Sequence, residues 1–176
     1  MKTAVYETKK QQPVTCLRLA LVPVLAAALA AGAATVRADQ AALVGVWKFA
    51  VYRADCDTWE ADFEGVPSNT LNAFYADGNV QELAFGLDTG FSRTMGLGTW
   101  AKSGKRTFAV YSQMGLRDDA GKNFGYIELE RMMTVARDRQ TLEAHGKGSL
   151  YLNDGQFLVE VCALSLGERL PDPNPF

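Results

Sequence analysis

The feature that most limits how this chain can fold is a succession of β-rich runs, each closed by a turn signal. The runs are Leu43–Arg53, Thr70–Ala76, Val80–Phe85, Leu97–Lys102, Lys105–Leu116, Asn123–Val135, Thr141–Leu152 and Gln156–Leu166. No helical stripe interrupts them. Between them stand Asp77-Gly78-Asn79, Ser103-Gly104, Asp118-Asp119-Ala120-Gly121, Arg137-Asp138-Arg139 and Asn153-Asp154-Gly155. Asp-Gly marks hairpins because glycine accepts the positive φ of a tight turn. Short links make neighbours in sequence neighbours in space. Eight such strands either stack as two sheets or close on themselves. Closure leaves no exposed edge, so the expected fold is all-β, an eight-stranded antiparallel up-and-down barrel.

Alternation assigns the faces. Leu142, Ala144, Gly146, Gly148, Leu150 and Leu152 face one way; Thr141, Glu143, His145, Lys147, Ser149 and Tyr151 face the other. Ile127, Leu129, Met133 and Val135 oppose Tyr126, Glu128, Glu130 and Met132. In the last run Phe157, Val159, Val161 and Ala163 share a face. Ala144, Gly146 and Gly148 leave interior space, either filled by larger side chains or open as a cavity.

Residues 1–38 differ from the rest. Lys2, Lys9, Lys10 and Arg18 precede an apolar run from Leu19 to Ala34, followed by Val36-Arg37-Ala38. Basic start, short apolar core and small residues at a cut describe a secretory signal peptide. The run is short for a membrane span, which takes about 20 strongly apolar residues. An uncleaved anchor is the alternative. The expected layout is a signal peptide at 1–38, a barrel at 39–170 and a Pro-rich tail at 171–176, placing the domain in the periplasm or outside the cell. Cleavage removes five basic residues and one acidic, taking the net charge from −2 to −6. Such a domain repels phosphate backbones and anionic lipid, so neither nucleic acid nor membrane is an expected partner. Cys56 and Cys162 remain after cleavage, and in an oxidising compartment two cysteines suggest one disulfide.

Reactive motifs are scarce. His145 is the only histidine. It sits among outward-facing residues between Glu143 and Lys147, and one histidine with two paired cysteines makes no metal site. No Gly-x-Ser-x-Gly, His-Glu-x-x-His or Walker pattern occurs, and no cofactor is expected. Gly96-Leu97-Gly98 precedes no helix, so it reads as backbone freedom at a strand start. Glu128, Glu130 and Tyr126 suit acid–base work only if they point inward; the apolar opposite face argues that they do not. Asp55, Asp57, Glu60, Asp62 and Glu64 lack calcium-loop spacing and read as a solvated acidic loop. Trp59, Phe63 and Phe91 lie in loops, either as a lid over a barrel mouth or packed on the rim.

Gly45-Val46-Trp47, placed in the first of eight meandering strands, resembles the Gly-x-Trp signature of lipocalins and the wider calycin group. With Cys56, Cys162-Ala163 and Gly167-Glu168-Arg169, the chain looks like a group of exported bacterial proteins of lipocalin-like type. The resemblance spans Leu43 to Arg169. It implies that Trp47 closes one end of the barrel and that Arg169, after the last strand, packs across its indole face. It also implies a small hydrophobic or amphipathic ligand in the interior, with Phe74, Phe108, Val110, Leu129, Met133 and Leu142 as candidate lining residues. The alternatives are a filled barrel acting through its surface and a barrel isomerase or cyclase. Oligomeric state is open.

Overall fold

The computed structural model describes residues 42–85 and 91–171. Every described residue belongs to one compact unit, Arg37–Phe176. The expected signal peptide at 1–38 and tail residues 172–176 lie outside the described residues.

Nine strands make up the described structure: β1 (Gly45–Ala54), β2 (Ser68–Phe74), β3 (Asn79–Phe85), β4 (Ser92–Arg93), β5 (Gly96–Lys102), β6 (Thr107–Arg117), β7 (Asn123–Val135), β8 (Thr141–Leu152) and β9 (Phe157–Arg169). All pairings are antiparallel, and the ring runs β1-β2-β3-β5-β6-β7-β8-β9 and back to β1. The fold is therefore a closed eight-stranded meander with one short extra strand. β4 lies on β6 beyond the end of β5, where Thr94 bridges the break. Its backbone N–H donates to the Gly115 carbonyl, and its Oγ1 accepts from the Gly115 N–H, both at 2.9 Å. No expected run covers β4, because two residues carry no alternation.

Two features of β9 differ from expectation. β9 runs on to Arg169, which pairs with Trp47 as the strand's last residue rather than following it. The N-terminal half of β1 needs a backbone partner, and β9 supplies it. A bulge at Leu150/Tyr151 sets Phe157 opposite Tyr151, so Phe157 leaves the face of Val161 and Ala163. It joins an outer aromatic row with Tyr151 (5.7 Å) and Tyr126, itself stacked on Tyr151 at 5.1 Å.

The core forms in two layers. Leu43, Trp47, Phe49, Phe74, Val80, Trp100, Phe108, Met133, Val135 and Leu142 fill one end. Met114, Leu116, Ile127 and Leu150, with Phe91 and Phe124 against them, form a smaller cluster towards the other. Trp47 and Arg169 close the first end. The guanidinium lies 4.4 Å from the indole centroid and donates to the carbonyls of Ala42, Val44 (2.6 Å) and Arg139 (2.8 Å). Gly45 adopts φ 129°, and a Cβ there would sit 2.7 Å from Arg169 Nη1. The glycine of Gly-x-Trp is thus the space into which the arginine folds.

Cys56 and Cys162 form a disulfide across 106 positions. Disulfides belong to oxidising, non-cytoplasmic environments. Among the described residues no helix is long and apolar enough to cross a membrane.

Candidate functional site

The barrel interior holds a polar centre between its two apolar layers. Glu82 on β3, 2% exposed, meets Arg131 on β7, 9% exposed, with Oε2 and Nη2 2.6 Å apart. Arg131 Nη2 also donates to Ser112 Oγ at 2.8 Å, and Ser112 Oγ donates to Glu82 Oε2 at 3.3 Å. Asn72 completes the group with its amide oxygen accepting from Arg131 Nη1 at 3.1 Å and its amide nitrogen donating to Thr70 Oγ1 at 3.2 Å. The opposite amide orientation would set the amide nitrogen against Arg131 Nη1 and leave it only a 3.5 Å contact to Glu82 Oε2. Thr70, Asn72 and Ser112 are all buried. Arg131 Nε is buried without a hydrogen-bond partner.

Glycines make these contacts possible. β5 lies between β3 and β6, and its inward positions include Gly96 and Gly98. A Cβ at Gly96 would meet Met114 Cε at 2.9 Å and Glu82 Cβ at 3.4 Å; one at Gly98 would meet Ser112 Cα at 2.6 Å. Without side chains on β5, Glu82 and Ser112 touch across it. On β8, a Cβ at Gly146 would fall 2.4 Å from Arg131 Cγ, and one at Gly148 would fall 2.9 Å from Ile127 Cδ1. The space left by these small residues is therefore taken up by neighbouring strands at Gly146 and Gly148.

Towards the end opposite Trp47, packing loosens. Leu129, Val161 and Ala163 turn inward yet stay half-buried, as does Val51 beside the first cluster. Of the expected lining residues, only Leu129 belongs to this region. Phe74, Phe108, Val110, Met133 and Leu142 are packed against one another in the closed-end core.

The remaining candidates lie outside the barrel. Glu128, Glu130 and Tyr126 occupy outward positions of β7, with Tyr111 of β6 beside them. Burial first, then a hydrogen bond to Glu128 and the charges of Glu128 and Glu130, hold the Tyr111 phenol above its usual value. His145 bonds Glu143 at 2.8 Å and lies under Trp59, ring centroids 5.4 Å apart. Phe63 packs on Tyr52 at 4.9 Å. Trp59 and Phe63 thus lie on the outer wall, not over a mouth, because the disulfide ties their loop to β9. Phe91 alone of the three stands at the barrel end, against Phe124 at 6.4 Å. In the acidic loop, Asp55 and Asp62 accept from backbone N–H groups within the loop. Among the described residues, Cys56, Glu160 and Cys162 come together as ligand types, but the disulfide removes both thiolates.

Sequence reading missed Arg131, Glu82 and Ser112. Each sits at an inward parity: Ile127-x-Leu129-x-Arg131-x-Met133, Val80-x-Glu82-x-Ala84 and Val110-x-Ser112-x-Met114. A charge at an apolar parity, matched by an opposite charge on another strand, was the available signal. The chain matches no protein-family model, no curated protein and no solved structure.

Proposed function

We propose that this is an exported, lipocalin-like binding protein that holds one small amphipathic molecule inside its barrel. The observation that carries this reading is the pairing of half-buried inward side chains with a polar centre that retains an unused donor. Val51, Leu129, Val161 and Ala163 offer apolar wall, and Arg131 Nε offers a hydrogen bond. A buried donor without a partner costs about 1–3 kcal/mol, which a guest's acceptor would recover. The packed aromatic layer around Phe74 and Phe108 acts as the floor of the site. Placement in the periplasm or outside the cell rests on the disulfide and on the signal-like residues 1–38.

The packing of Gly146 and Gly148 against neighbouring strands favours a second reading, a filled barrel that acts through its surface. One titration separates the two. Apolar probes and a panel of fatty acids, alcohols and haem-like molecules are added while tryptophan emission is followed. Saturable change with one guest per chain supports binding. No saturable change across the panel leaves the filled barrel.

A further inference from the structure

The closed end of the barrel carries a feature that interior binding does not use. The β5–β6 turn presents Lys105 and Arg106, and the β7–β8 turn presents Arg137 and Arg139. Because β6 and β7 are neighbours, both turns emerge side by side, and the Val135 N–H donates to the Arg106 carbonyl at 2.9 Å, holding them together. The four cations line one cleft of about 530 Å³, whose other lining residues are Ala42, Val135 and Ala136. Among the described residues no carboxylate lines it, and none of the four cations has an ion-pair partner. Asp138, between Arg137 and Arg139, accepts from the N–H groups of Gln140 and Thr141 instead. Arg139 holds φ 60°, an uncommon conformation for a non-glycine residue, and its carbonyl is fixed by Arg169. The Arg169 pKa is lowered by burial and then by the charge of Arg139.

Like charges gathered without counter-charges repel one another, and a bound anion removes that cost. We propose that this cleft is a second binding site, for a compact multivalent anion of the phosphate class. Arginine favours that chemistry because its planar fork meets phosphate oxygens two at a time. The remainder of the chain decides between a small anion and a large one. Residues 39–176 carry 13 basic and 19 acidic side chains, so an extended polyanion or an anionic membrane would meet repulsion beyond the cleft. A small organic phosphate or diphosphate fits within it.

The test is calorimetric titration of the full chain with pyrophosphate, with orthophosphate in a second arm and phosphatidylglycerol vesicles in a third. Saturable binding of pyrophosphate is expected, weakening as salt is added. Arg106→Gln with Arg137→Gln should weaken it by at least about tenfold, since each lost arginine removes charge-assisted hydrogen bonds. Thermal melting checks that this variant stays folded. Lys122→Gln, in the turn at the other end of the barrel, should change nothing and serves as the control should the double variant fail to fold. Three results would overturn the proposal: no saturable binding of either phosphate, equal weakening by Lys122→Gln, or vesicle binding stronger than pyrophosphate binding.

Discussion

Gly146 and Arg131 show how a single side chain is positioned here. A methyl at 146 would stand 2.4 Å from Arg131 Cγ and 3.1 Å from the Glu130 carbonyl. Gly146→Ala should therefore push Arg131 away from Glu82 and destabilise the fold by about 1–3 kcal/mol, read from urea denaturation. A substitution without loss of stability would mean that Arg131 has room to move. Removing one partner of the buried pair is harsher. Arg131→Met should cost about 3–5 kcal/mol because Glu82 is left charged and unpaired, whereas the double variant with Glu82→Met should recover most of that loss. If the double variant is no more stable than the single, the pair's charge is not what matters. Alternation had marked the inward positions of β7 and β8, but Arg131 reads as an exception to its strand until Glu82 is placed opposite. That placement depends on glycines at 96 and 98 on a third strand. No single strand's pattern contains it, and it becomes visible only when the ring closes.

Strands and hairpins were the most legible level, because period-two alternation and Asp-Gly turns act locally. What escaped was what depends on more than one strand. The Leu150/Tyr151 bulge turned Phe157 outward, and β9 extended to Arg169 because β1 required a partner. The long β1–β2 loop is another case. Its attachment to the outer wall comes from Cys56–Cys162, Trp59 on His145 and Phe63 on Tyr52. Replacing both cysteines with serine should destabilise the domain, with about 4–5 kcal/mol as the chain-entropy upper figure for a loop of this length. Hydrogen exchange should rise first in residues 55–66. Uniform exchange across the barrel would show that the loop is held by its aromatics alone. The turns have their own pH signature. Backbone hydrogen bonds from Thr58 and Asp57 lower the Asp55 pKa below its usual 3.8, and those from Asn79 lower Asp77 likewise. A depressed carboxylate contributes stability above the usual value and loses it as pH falls through the folded-state value. Carboxyl carbon shifts should show both groups titrating below 3.8, and midpoints at or above it would contradict the turn geometry.

The described barrel has unequal ends. One end is sealed by Trp47, Arg169 and an aromatic layer; towards the other, inward Leu129 and Val161 are half-buried beside the smaller cluster, and the Glu82–Arg131 pair lies between. Closure and its antiparallel order were readable from eight runs and the cost of open edges. The division into a packed half and a looser half was not, because both halves show the same alternation and differ only in how residues from distant strands meet. The most direct measurement follows the Arg131 Nε–Hε resonance and the methyls of Val51, Leu129 and Val161 by NMR as an amphipathic guest is titrated. Saturating shifts at all four, with Leu83 and Met132 on the outer wall unmoved, are the predicted result. Shifts confined to outer-wall groups, or none at any concentration, would contradict a guest inside the barrel.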